Sequence, residues 1–165
     1  MSYFTEGVIE LDRISYRNEA PEIIETSEEI VGPRYAAEKP VYVATSGVTF
    51  SAGESIALDL KERRAATLVG ERTRGGASSG NFVKLPGDFR IFIPFGRSER
   101  RKWEGVGVAP DVKAPARDAV LVAHRLALAG LMESETDPVR AQVLRNVVNN
   151  RIENLSSFAL GGRRR

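Results

Sequence analysis

The 165-residue chain contains no cysteine and a single histidine, His124. The first absence removes disulfide frameworks and thiolate metal sites, and with them any reading of the redox compartment. The second all but removes histidine-based metal centres. No metal and no cofactor is therefore expected. No apolar run reaches the roughly 20 residues of a membrane-spanning helix. Charge of one sign is also missing. Lys and Arg number 24 against 22 Asp and Glu, and the net +2 is no nucleic-acid-binding field. The opening "MSYFTEGVIELD" has neither the basic start nor the apolar stretch of a signal peptide. The compartment is left open: cytoplasmic if the chain is complete, exported if it is a fragment of a longer protein.

What is present is 42% apolar and 28% charged residues, the balance of one modest globular domain with a core. Residues 8–17 ("VIELDRISYR") and 22–26 ("EIIET") read as strands, with turn chemistry from Asn18 to Pro21. "VGPRYAAEKP" is a surface connection. Residues 41–45 ("VYVAT") and 65–71 ("AATLVGE") read as buried strands, and the helix between them makes a β-α-β unit with parallel pairing. Residues 72–80 ("RTRGGASSG") form a loop without phosphate-loop spacing. "NFVKL" and "FRIFIPF" make a hairpin across Pro86-Gly87-Asp88. "GRSERRKWEGVGVAPDV" is a loop with a basic run. Residues 116–132 form an amphipathic helix. Asp137-Pro138 starts another, to about residue 158, with Val139, Val143, Leu144, Val147 and Ile152 as its apolar stripe and "GGRRR" as a frayed tail. The expected divisions are 1–38 (N-terminal strands and connection), 39–132 (core) and 133–165 (C-terminal helix and basic tail).

One stretch carries chemistry. In "TSGVTFSAGESIALDL", residues 45–60, Ser51 stands where a strand stops and a helix starts. Ala52, Ile56, Ala57 and Leu60 share one helical face, and Lys61, Arg63 and Arg64 close the helix where its dipole favours cations. Ser51 and Glu54 have S-x-x-E capping-box spacing, which alone accounts for both residues. The same position suits a nucleophile, since free N–H groups at a helix start can hold a developing oxyanion. The G-x-S-x-G elbow is absent. Partners are scarce. His124 reads as structural, on an amphipathic helix. Lys61, ten residues along the same helix, is about 15 Å away. Lys84 and Lys102 serve only if the fold returns them. Glu104, in "WEGVGV", reads as an exposed loop acid. The residues alone supply no complete triad.

The segment "KPVYVATSGVTFSAGESIALDLKERRAATLVGERTRGGASSGNFVKL", continued by "FRIFIPFGR" and "WEGVGVAPDV", resembles the tail-specific, or C-terminal processing, serine peptidases. It is most similar to the branch holding interphotoreceptor retinoid-binding protein and the tricorn core. The resemblance covers roughly residues 31–131 and implies an α/β fold, a crotonase- or ClpP-like spiral of ββα units. It implies Ser51 as nucleophile, with capping as a second role. The Ala52 N–H becomes one half of the oxyanion hole, Glu104 the acid supporting the relay, and Glu54 a supporting acid.

Two departures go with it. Gly75-Gly76-Ala77 stand where the Ser–Lys branch has its lysine. The tricorn-like branch takes its histidine and second oxyanion donor from a segment upstream of a "SYF"-like helix end, and this chain begins at "SYF". The chain is thus expected to match the C-terminal half of a peptidase domain, weakly active or inactive alone. Its implied partners are a peptide or protein substrate and a complementary N-terminal half or second copy. The competing expectation is a non-catalytic module for an apolar ligand or a partner chain.

Overall fold

A computed structural model of the chain describes residues 1–35, 39–100 and 102–161, with side-chain surroundings as far as residue 149. Residues 36–38 of the expected connection, Arg101 of the basic run, the Ile152 side chain and residues 162–165 of the expected tail lie outside the described residues. The described strands sort into two sheets of different character.

The first sheet is parallel, in the order β3 (Tyr42–Thr45), β4 (Thr67–Gly70), β7 (Val112–Lys113). Helix α1 (Ala52–Glu62) crosses from β3 to β4, and α2 (Ala116–Ser134) follows β7 and packs on β3 and β4. Strand β4 is central and apolar, and its Leu68 and Val69 are fully buried. The strand expected to be buried at 41–45 is an edge instead, with Ala44 exposed, because it pairs on one side only among the described residues. The expected apolar face of α1 is halved. Ala57 and Leu60 are buried together with Glu54, while Ala52 and Ile56 are exposed. Ile56 is one position from Ala57 and so lies about 100° around the helix from the buried side. At the far end of α1, Lys61 bonds the Ala109 carbonyl at 2.7 Å and pairs with Asp111 at 2.8 Å.

The core gathers Ala57, Leu68, Ala77, Trp103 and Val108, with Val43 and Leu58 packed against it. It joins α1 and β4 to two irregular segments, the loop after β4 and the "WEGVGV" turn. Large apolar side chains contribute roughly 1.5–3 kcal/mol each on full burial, so Trp103 and Val108 anchor the "WEGVGV" turn to the core, and Ala77 adds a smaller contact from the loop after β4.

The second sheet is antiparallel, in the order β2 (Glu22–Glu25), β1 (Glu10–Tyr16), β6 (Arg90–Ser98), β5 (Ser79–Lys84). The hairpin between β5 and β6 closes with the Leu85 N–H donating to the Phe89 carbonyl at 2.9 Å, and Gly87 and Asp88 take φ of 77° and 63° in its turn. Strand β6 runs past the expected end at Phe95 to reach β1, pairing Ser98 with Ile14. Polar straps tie this sheet to α1. Arg100 reaches Asp59 (3.5 Å), Glu62 (2.6 Å) and the Leu11 carbonyl (2.8 Å). The architecture is mixed α/β. Helix α3 (Pro138–Gly161) starts as expected, with Asp137 accepting from the Val139 and Arg140 N–H groups at 2.8 and 3.1 Å. Its stripe does not enter the core: Val139, Val143 and Val147 are exposed.

Candidate active site

Ser51 caps α1 at the end of the short turn that follows β3, and it is exposed. Its backbone has φ 52° and ψ −120°, a left-handed region that side-chain-bearing residues occupy only under strain. The motif of the hydrolase elbow is missing, yet the feature that motif exists to produce, a sharp strained strand-to-helix turn that displays a serine, is present. Half of the expected capping box forms as a good hydrogen bond, the Ser51 N–H donating to Glu54 Oε2 at 3.0 Å. The other half is looser. The hydroxyl lies near the Glu54 N–H, but that N–H donates to the Ser51 carbonyl at 2.8 Å, and the hydroxyl makes no cap hydrogen bond. The Ala52 N–H has no hydrogen-bond partner among the described residues.

Glu54 is the anchor of the site, and its side chain is fully buried. Oε1 accepts the Thr73 hydroxyl and the Gly75 N–H (2.7 Å); Oε2 accepts the Gly76 N–H (2.7 Å) and the Ser51 N–H. Burial pushes its pKa up, and these hydrogen bonds more than reverse that, holding it below the ordinary carboxylate value. All its acceptor positions are used. Glu54 therefore cannot take a proton from Ser51; it pins the strained turn to the loop after β4.

Glu104 lies in the third segment. Its Oε2 accepts the Ser78 hydroxyl and the Ala77 N–H, both at 2.8 Å, and these bonds lower its pKa. Adjacent N–H groups, Gly76 and Ala77, thus serve the two carboxylates, which are close enough for the charge on Glu54 to oppose ionisation of Glu104. The carboxylate in "WEGVGV" thus ties its turn to the loop after β4. The segments also interlock through backbone. The Gly105 N–H donates to the Gly75 carbonyl at 2.9 Å, and Thr73 Oγ1 accepts the Val108 N–H at 2.7 Å. Gly75 has φ 93°, and a Cβ there would meet the Gly107 and Val106 nitrogens at 2.9 Å, so only glycine permits this approach.

The base candidates stand elsewhere. Lys61 is consumed at the opposite end of α1, Lys84 lies in the exposed hairpin 3.9 Å from Asp88, and Lys102 is exposed beyond the β6 strand. His124 is half-buried on α2. Among the described residues none of these hydrogen-bonds Ser51, and no three metal-ligating side chains converge. No described helix is long and apolar enough to cross a membrane. Sequence reasoning missed Thr73, Gly75 and Gly76 as partners of Glu54; the signal available was the T-x-G-G spacing in a loop read only as lacking phosphate-loop spacing.

Residues 3–114, more than half of the chain, match the model of peptidase family S41. The chain belongs to peptidase family S41. This is the tail-specific, C-terminal processing group that the motifs resemble. Among solved structures, the fold is similar to a candidate peptidase of Parabacteroides merdae, with TM-score 0.60 and 21% identity over 77% of this chain and 45% of that one. It is also similar to the photosystem II D1 C-terminal processing protease, with TM-score 0.51 and 22% identity over 70% of this chain and 30% of that one. The chain spans less than half the length of either. The S41 match covers all three segments of the site, with Ser51, Glu54 and Glu104 inside it.

Proposed function

We propose that this chain carries the nucleophile of a serine peptidase that acts on peptide or protein substrates, and that Ser51 is that residue. One observation supports this most: a serine is kept at a positive φ, exposed, beside an unpaired helical N–H, by a buried carboxylate that accepts its N–H and is itself fixed by three further donors. Strain of this kind costs of order 1–3 kcal/mol and persists where the surroundings over-determine it, typically at functional sites. Ser51 Oγ attacks the scissile carbonyl carbon while its proton passes to a base. The carbonyl oxygen becomes an oxyanion that accepts from the Ala52 N–H. The base then protonates the leaving amine, and water releases the acyl group by the same route.

The base and the second oxyanion donor come from outside the described site. The resemblance assigns both to a segment upstream of the motif region, with Glu104 orienting the histidine. On this reading the chain forms the C-terminal part of a crotonase- or ClpP-like spiral of ββα units, and His124 is structural. Turnover of an unstructured peptide panel by the purified chain tests it. Cleavage by the chain alone is negligible, rises when imidazole is supplied as a diffusible base, and vanishes in Ser51→Ala. Brisk cleavage without an added base would overturn the assignment of the base, and cleavage that survives Ser51→Ala would overturn the nucleophile.

One observation favours the second reading, a non-catalytic module for an apolar ligand or partner chain. The β5–β6 hairpin displays Phe82, Phe89, Ile91, Phe92, Ile93 and Phe95 to solvent. Saturable binding of a fatty acid or retinoid, with no Ser51-dependent turnover under any base, would decide for it.

A further inference from the structure

Phe50 immediately precedes Ser51 and remains 54% exposed. Its ring lies against Gly76, where an added Cβ would stand 1.9 Å from Phe50 Cε2. A side chain at 76 would displace the ring from its present place next to Ser51. Across the ring sits Arg74, its guanidinium carbon 5.7 Å from the centroid, with its backbone fixed by the Arg74 N–H donating to the Thr49 carbonyl at 3.0 Å. Val48, 80% exposed, continues the apolar surface on the same turn.

The two arginines of this loop are used differently. Arg72 donates to the Gly107 carbonyl at 3.1 Å, a structural bond. The Arg74 guanidinium is exposed and, among the described residues, has neither a hydrogen bond nor a carboxylate within ion-pair distance. A guanidinium held over an aromatic face by cation–π attraction makes no hydrogen bond to the ring and keeps its N–H groups available for bidentate recognition of a carboxylate. The nearby acids do not compete for it, since Glu54 is buried among four donors and Glu104 is bonded to Ala77 and Ser78.

We propose that Phe50 and Arg74 form a substrate subsite beside Ser51 that takes an apolar residue on the ring and a carboxylate on the guanidinium. The peptide preferred at this site carries a carboxylate, from an acidic side chain or from its own terminus, within a residue or two of the bond presented to Ser51. The inference rests on the reading of Ser51 as the nucleophile. Because Arg74 is exposed, it adds a preference of severalfold and not an absolute requirement.

The test uses the Ser51→Ala chain and fluorescent peptides of one apolar sequence with Asp or Asn near the centre, each with a free or an amidated C-terminus. Fluorescence anisotropy should show the carboxylate-bearing peptides binding roughly fivefold more tightly at low salt, with the gain collapsing in Arg74→Gln and shrinking as salt rises. A gain that follows the internal Asp assigns the subsite to side chains; one that follows the free terminus assigns it to chain ends. Arg74→Lys keeps the charge without the planar fork and retains part of the gain, which separates recognition from a fold defect. Equal affinities for all four peptides, a preference that survives Arg74→Gln, or no binding at all would overturn the subsite. Labelling of Ser51 by a phosphonate probe in the unsubstituted chain reads the nucleophile separately, so either assignment can fail alone.

Discussion

The two sheets of this protein manage their residues in opposite ways. Around the parallel sheet the interior is closed: Leu68, Val69, Trp103 and Val108 are buried, and a fully buried carboxylate is matched by four donors. In the antiparallel sheet Ile14 is the only buried apolar side chain of the four strands, while the exposed rings of Phe82 and Phe92 meet edge-to-face with centroids 5.3 Å apart. The first region satisfies itself and can hold a strained serine. The second leaves apolar surface open to solvent. The strained turn at Ser51 and the open apolar face are therefore built by separate parts of the chain.

The sharpest way to break this contrast is Glu54→Ala. It leaves the Ser51, Gly75 and Gly76 N–H groups and the Thr73 hydroxyl without their acceptor, and should cost about 3–5 kcal/mol in urea unfolding. The control is Glu22→Ala in the antiparallel sheet, where an exposed carboxylate accepts only the Tyr16 hydroxyl at 2.6 Å; it should cost less than about 1 kcal/mol. Similar losses for the two would end the distinction.

Acid should find the same boundary. Glu54, Glu71, Glu104 and Asp111 have folded pKa values below their ordinary ones, so their stabilisation is complete above the ordinary carboxylate range near 4.5 and is lost as pH falls through the depressed values. Asp59 runs the other way. Its burial outweighs Arg100 and Arg63 and raises its pKa, so its ionisation costs stability at neutral pH and that cost is relieved on acidification. Stability should fall below about pH 4.5, with a flatter acid limb in Glu54→Gln. An acid limb unchanged in Glu54→Gln would mean that this carboxylate is not the pH-sensitive anchor.

Smaller effects sharpen the comparison. Ser51→Gly relieves the positive φ and should gain about 1 kcal/mol in thermal unfolding, whereas Ser51→Ala gains nothing. No gain for glycine would show that the turn is unstrained. Phe82→Ser with Phe92→Ser should change monomer stability by less than about 1 kcal/mol and reduce self-association in sedimentation. A large loss of stability would place those rings in a core.

Much of this was legible in sequence because it is local. The β3-α1-β4 unit, the hairpin with its Pro-Gly-Asp turn, the Asp137 cap and the Ser51–Glu54 spacing all sit within one element or its ends. What escaped is set by distant chain. Glu54 finds its partners 19, 21 and 22 residues onward, in a loop whose glycines allow a close approach that the sequence does not announce. The β3 strand is apolar enough to read as buried, but burial depends on neighbours, and among the described residues only one strand pairs with it. Ile56 fitted the apolar face until Glu54 became part of that face. The positive φ of Ser51 has no sequence signal, since serine caps ordinary helices without it.

We propose Ser51 as a nucleophile held ready by Glu54. The most direct measurement is intact-mass and peptide mapping after exposure to a fluorophosphonate, with imidazole present as base, in the unsubstituted chain, Ser51→Ala and Glu54→Gln. The account predicts one adduct, on Ser51, absent in Ser51→Ala and strongly slowed in Glu54→Gln. An adduct that persists in Ser51→Ala, or one spread over several serines at equal rates, would contradict it.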